Sequence, residues 1–323
     1  MQMKYVLKFS GEHPSLPLAE LAGVLEGEGF GHEVLEDFGG GQVLVDVGSD
    51  DHSFVRRLAL TTKACEYVGE GSDLNYLAEQ VHARIGSCKS FAVRCDSERL
   101  ERSFGELLHG KGLKVSLKKP EFEVNLFKAR EKYLAGLNIP LERNFNERRA
   151  QHRPFFSPTS MHPKLARVMV NLARVKRGDS VLDPFCGTGG ILIEAGLVGM
   201  RLYGWDISDR MTGGCVQNLR HYGLKGEIKE QDSLNYAGSF KADAVVTDLP
   251  YGRASYTTDR KIGRLYADFL LKAKNLAKVG GYVVMMIPQE HHIDASGLDA
   301  KGSYDIKVHR SLTRRIWVLK NPT

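Results

Sequence analysis

Asp183-Pro184-Phe185-Cys186-Gly187-Thr188-Gly189-Gly190 lies directly after the apolar run Ser180 to Pro184 and directly before the helical pattern Ile191 to Leu197. Small residues at such a strand-to-helix turn let the backbone reverse sharply and approach a ligand closely. Working outward, further apolar, β-branched-rich strands are expected at Leu202 to Ile207, Glu227 to Gln231, Ala244 to Asp248 and Tyr282 to Ile287. Most are separated by helical patterns or by connections long enough for crossovers, which implies a parallel sheet buried on both faces. Tyr304 to Arg310 and Arg314 to Lys320 flank a short polar turn and predict an antiparallel hairpin that closes the sheet.

Upstream the pattern is α+β. Tyr5 to Phe9 reads as a strand, Leu18, Leu21, Ala22 and Leu25 as one helical face, Gln42 to Val47 as a strand and Phe54 to Ala64 as a helix, together a βαβ-type unit. A second unit has a helix from about Leu74, strand Phe91 to Cys95, helix Arg99 to His109 and a hairpin of Glu121 to Phe127 with Tyr133 to Leu137. From Glu142 to Arg177 nine basic residues face two acidic ones. That stretch is either a solvated linker or a basic seam that meets nucleic-acid phosphates, and the seam is favoured.

The 323 residues carry a formal net charge of +6, compatible with a polyanionic partner. The longest uncharged run, Val279 to Gln289, is too short to span a membrane, and no secretory leader pattern follows Lys4 and Lys8, so a cytoplasmic protein is expected. Five cysteines without a C-x-x-C pair argue against a disulfide framework and against a metal cluster.

Three acidic residues give the site its expected chemistry. Asp206, nineteen residues after Gly187 at the next strand end, is placed to take both ribose hydroxyls of a nucleoside, and Asp232, after the following strand, to meet an adenine amino group. Asp183 would repel a pyrophosphate and attract an ammonium group, which favours S-adenosylmethionine over a nicotinamide dinucleotide. Cys186 has no neighbouring base in sequence and reads as a small packing residue. Asp248-Leu249-Pro250-Tyr251 closes the fourth strand. An exocyclic base amine is a poor nucleophile until its hydrogens are accepted and its lone pair is aimed, work suited to Asp248 and one backbone carbonyl. Pro250 restrains Leu249, and Tyr251 offers a stacking face.

These motifs resemble those of Rossmann-fold, S-adenosylmethionine-dependent amino-methyltransferases, and the whole chain resembles the archaeal tRNA guanine-10 N2-methyltransferases. The resemblance rests also on Arg153 to Met161, Val124 to Phe127 and His309 to Ile316. It implies a ferredoxin-like domain (1–70), a THUMP RNA-binding domain (71–141), a basic linker (142–163) and a methyltransferase domain (164–323). It implies cofactor binding by Ser160, Asp183, Pro184, Phe185, Cys186, Gly187, Thr188, Gly189, Asp206, Ile207, Asp232 and Ser233, with Asp248, Leu249, Pro250 and Tyr251 at the reacting base. Arg143, Arg148, Arg149, Arg153 and Arg253 are expected on tRNA. The implied enzyme works as a monomer, with a small activating protein subunit as a further partner, and methylates guanine N2 in tRNA at position 10. The alternative is N2-guanine or N6-adenine at another RNA site. One departure stands out: Leu249 replaces the first proline of the family's Asp-Pro-Pro-Tyr, which removes a fixed φ and predicts a less rigid loop.

Overall fold

The structure, a computed structural model, describes residues 3–141, 144–158, 160–251, 259–295, 297–310 and 312–322, with the side chains of 259–261 left aside. The chain packs into two units. One comprises Met1–Pro14, Phe30–Arg56 and Leu60–Glu142; the other comprises Ser15–Gly29, Arg57–Ala59 and Arg143–Thr323.

The first unit is a seven-stranded sheet in the order β2-β3-β1-β4-β7-β6-β5. Its strands are β1 (Met3–Phe9), β2 (His32–Gly39), β3 (Gln42–Val47), β4 (Thr61–Gly71), β5 (Phe91–Arg94), β6 (Phe122–Ala129) and β7 (Lys132–Asn138). The expected hairpin of β6 and β7 is present and antiparallel. Helices α2 (Leu74–Ile85) and α3 (Glu98–Gly110) begin at Asp73 and Ser97, whose side chains accept backbone N–H groups of the first turn. They bury Leu77, Val81, Phe104 and Leu108 in one core with Phe91, Val124 and Leu137.

Two expectations fail in this unit. The strands β1 and β3 pair antiparallel, so there is no βαβ crossover, and the intervening β2 escapes a hydrophobic reading because its edge position leaves most of His32–Gly39 outside the core. The segment expected as the helix Phe54 to Ala64 is a 3-10 turn at His52–Arg57 followed by β4. Val55, Leu58 and Ala59 are buried as a helical spacing predicts, but from Thr61 hydrogen bonding to β1 on one side and β7 on the other outweighs that spacing.

The second unit is the sheet β10-β9-β8-β11-β12-β14-β13. Its strands are β8 (Ser180–Asp183), β9 (Arg201–Asp206), β10 (Gly226–Glu230), β11 (Ala242–Asp248), β12 (Ala277–Pro288), β13 (Asp299–His309) and β14 (Leu312–Lys320). The first five are parallel, while β14 runs antiparallel to both β12 and β13. Strand order reverses between β8 and β11, the switch point where open α/β sheets bind ligands. Helices α4 (Pro163–Leu172), α5 (Gly190–Leu197), α6 (Asp209–His221) and α7 (Asp259–Leu276) accompany it.

Helix α1 (Leu16–Glu28) belongs to this second unit although it follows β1 in sequence. Pro17 opens it and Gly29, at φ 79°, ends it in the left-handed conformation. Gly23 of α1 lets the backbone of α4 approach: a Cβ there would lie 2.5 Å from the Asn171 carbonyl oxygen. Among the described residues no helix is long and apolar enough to cross a membrane.

Candidate active site

Asp183, Asp206 and Asp248 stand at the carboxyl ends of β8, β9 and β11, three strands side by side at the switch point. The turn after β8 requires its glycines. Gly187 (φ 49°) and Gly189 (φ 83°) are in the left-handed region, and a Cβ at 189 would come within 2.6 Å of Cys215 Sγ in α6. Gly189 caps α5, with its carbonyl accepting the Ile193 N–H. Asp206 braces the same turn: Oδ2 accepts the Gly187 N–H at 3.0 Å and Oδ1 the Ser208 N–H at 3.0 Å. Each oxygen keeps a further lone pair, and Ile207 beside it is exposed.

The entering segment closes onto this loop. Ser160 Oγ lies 2.9 Å from Thr188 Oγ1. Asn218 of α6, unnoticed in the sequence, is fully buried and clamps both pieces: Oδ1 accepts the Phe155 N–H, and Nδ2 donates to the carbonyls of Phe155 and Thr188. Ser233 Oγ donates to the Pro184 carbonyl, whereas Asp232 is exposed and accepts from Leu234 N and Asn235 Nδ2. Phe185 turns its ring against Phe269, so what it offers the site is backbone. The neighbouring Cys215 and burial push the Cys186 thiol far up, which keeps it inert.

Asp183 is buried, accepts from Thr247 Oγ1 at 2.7 Å and from Phe185 N at 3.2 Å, and burial lifts its carboxyl to about 7. The charges that bear on it, Asp248 and Asp206, share its sign and raise it further. A cation placed beside Asp183 would favour its ionised form. S-adenosylmethionine carries an ammonium and a sulfonium, so the residues present fit it, and Asp183, Asp206 and the 187–189 backbone would hold it. Among the described residues no His, Cys, Asp or Glu cluster is arranged to hold a metal ion.

At the end of β11, Leu249 is fully buried in the core with Ile262, Phe269 and Leu270, and its N–H donates to the Met286 carbonyl at 3.2 Å. A proline at 249 could not make that bond. The Pro250 carbonyl accepts from Tyr266 Oη at 3.0 Å. These contacts restrain the loop by other means than the fixed φ that the departure from the family tetrapeptide removes.

Asp248 is itself engaged. Arg314 of β14 donates from Nη1 to Asp248 Oδ2 at 2.9 Å and from Nη2 to Asp248 Oδ1, and its guanidinium carbon lies 3.8 Å from the centroid of the Tyr251 ring. Burial raises the Asp248 carboxyl while Arg314 opposes the rise. No sequence motif pointed to Arg314 as a site residue; only the register that sets it opposite Pro288 brings it there.

The basic seam is partly turned inward. Arg148 is buried and forks onto Glu194 of α5 at 2.7 and 3.1 Å, and Arg167 pairs with the same carboxylate at 2.8 Å. Arg153 is buried and donates to the Arg148 carbonyl. Expected on tRNA, Arg148 and Arg153 are buried in this structure, and a carboxylate 46 residues onward in sequence from Arg148 neutralises part of what the local charge count leaves positive. Arg149 remains exposed, 3.2 Å from His162 Nε2, and Arg143 and Arg253 lie outside the described residues.

A sheet reversed at β8 and β11, a glycine turn with a buried carboxylate, and an acidic tetrapeptide on the adjacent strand together define an S-adenosylmethionine-dependent methyltransferase. The UPF0020 family model (RMKL-like, methyltransferase domain) matches residues 150–310. The tRNA (guanine(10)-N2)-dimethyltransferase of Methanothermobacter thermautotrophicus is 39% identical, with 98% of this chain and 99% of that protein covered. The enzyme of the same name from Methanocaldococcus jannaschii is 34% identical over the same shares. The chain belongs to the tRNA (guanine(10)-N2)-dimethyltransferase family. TrmN from Thermus thermophilus shares its fold at TM-score 0.55 and 22% identity, covering 98% of this chain and 99% of that one.

Proposed function

We propose that the protein methylates the exocyclic N2 of a tRNA guanosine, at position 10, with Asp248 as the group that accepts hydrogen from the amine. The observation that carries this reading is the placement of Asp248 on the strand next to Asp183, with Tyr251 three residues on. S-adenosylmethionine, when bound, supplies an electrophilic methyl group. Asp248 accepts an N2–H, which localises the amine lone pair, and its negative charge favours the cationic amine that forms on transfer. A backbone carbonyl of the loop takes the second hydrogen, and Tyr251 supports the base by stacking.

The first unit is read as ferredoxin-like and THUMP elements that dock tRNA through phosphate contacts, with Arg143, Arg149 and Arg253 as phosphate ligands from the second. A cytoplasmic monomer, able to take a small activating subunit, completes the proposal. The names of the archaeal relatives support the tRNA substrate and raise the question of a second methyl. Incubation with labelled S-adenosylmethionine and bulk tRNA, followed by nucleotide mapping by mass, tests the reading and separates one methyl from two. Label on N2 of guanosine 10 supports it; label on adenine N6, or none, refutes it.

A further inference from the structure

Arg314 occupies the two groups that the target base needs. Its guanidinium forks onto both oxygens of Asp248, and its carbon sits over the Tyr251 ring, 3.8 Å from the centroid. The edge of guanine that carries N1–H, C2 and the N2 amine is chemically a guanidine: planar, with two parallel N–H bonds that match a carboxylate. Adenine is different, since beside its N6 amine stands N1, a lone pair that would face the carboxylate rather than donate to it.

We propose that Arg314 is a built-in stand-in for the target guanine, filling the base site until tRNA delivers the nucleotide, and that the Asp248 carboxylate it covers selects for a guanidine-shaped edge. The inference rests on the guanine-N2 reading and deepens it. Arg314 lies two residues from the start of β14, close to the turn of the closing hairpin. Nη2 also reaches the Met286 carbonyl at 3.3 Å, yet Nε is buried with no hydrogen-bond partner among the described residues, so the bound state leaves the side chain incompletely satisfied. While the site is filled, Arg314 opposes the rise that burial gives the Asp248 carboxyl and keeps both of its oxygens aimed. When guanine enters, its N1–H and N2–H take over the fork, its ring takes the Tyr251 face, and Arg314 withdraws. The occupant lowers apparent base affinity by the fraction of time that it is bound.

The test measures binding of free guanosine and adenosine to the full-length protein saturated with S-adenosylhomocysteine, by calorimetry or ligand-observed NMR. Arg314→Ala empties the site, so guanosine should bind tenfold or more tighter than to the parental protein, while adenosine, which can use only the freed Tyr251 face, gains less. Adding Asp248→Asn to Arg314→Ala should abolish that difference. Arg314→Lys keeps a cation in the same place but neither forks nor stacks, and should give a smaller gain with the same preference; it serves if the alanine variant fails to fold. A merely structural ion pair predicts no guanosine gain in either variant. No gain, or an equal gain for adenosine, overturns the proposal even where parental enzyme methylates guanine N2 in tRNA. Loss of that parental activity would refute the functional reading separately.

Discussion

Glu20 Oε1 accepts a 2.8 Å hydrogen bond from Asn171 Nδ2, joining residues 151 positions apart, and the same oxygen accepts the Ala59 N–H at 2.8 Å. Asn171 also donates to the Arg57 carbonyl, and Arg57 pairs with Glu28 at 2.5 Å. Glu20, Arg57 and Asn171 are buried where α1 meets α4, so the catalytic unit takes a structural helix from the N-terminal end of the chain. Glu20→Ala leaves two buried donors unpaired and should cost about 2–4 kcal/mol of stability. Urea unfolding measures it, and an unchanged midpoint would contradict the account.

The same relationship changes what truncation should do. Removing residues 1–140 looks from sequence like the excision of RNA-docking domains, but it also strips α1 from α4. The truncated chain should lose cooperative unfolding and cofactor binding together. If it binds S-adenosylmethionine as well as the full chain does, α1 is dispensable to the second unit.

Asp206→Ala should weaken cofactor binding at least tenfold. It removes a carboxylate for the ribose, each charge-assisted bond being worth about 1.5–3 kcal/mol, and frees the Gly187 and Ser208 N–H groups that shape the turn. Calorimetry with S-adenosylhomocysteine decides the matter, and an unaltered affinity would withdraw Asp206 from the site.

Asp183 should make stability fall with rising pH in the absence of cofactor. Its folded carboxyl titrates near 7 against 3.8 ordinarily, so from about pH 4 to 7 the unfolded chain ionises while the folded one keeps its proton. Stability is full below that window and is lost as pH rises through it, by at most about 4 kcal/mol. A bound cation reverses the preference, so affinity for S-adenosylmethionine should rise from pH 6 to 8. Asp183→Asn should flatten both profiles; unfolding and binding series at several pH values test this, and unchanged slopes would refute it.

The strand ends were legible because chemistry and local pattern coincide there: Asp183, Asp206 and Asp248 each follow an apolar run, and Gly187 and Gly189 mark the turn. Arg314 was not, because its meeting with Asp248, 66 residues away, is fixed by the register between β12 and β14. The burial of Arg148 is hidden from sequence for the same reason, since the Glu194 that pairs with it comes from α5. Leu249 reads in sequence as a weakened proline, because its buried side chain and its N–H to the Met286 carbonyl depend on the pairing of β11 with β12.

Single-turnover methyl transfer by Asp248→Asn, at saturating S-adenosylmethionine and tRNA, tests the central claim most directly. The amide keeps the shape and one acceptor but lacks the negative charge that favours the developing cationic amine. The rate should fall by about 10²-fold or more, the range for loss of a positioned acid-base group, while cofactor and tRNA affinities change far less because Asp206 and phosphate contacts supply them. A variant that transfers the methyl group at the parental rate would contradict the assignment of Asp248, and with it the reading of Asp248-Leu249-Pro250-Tyr251 as the place where the base reacts.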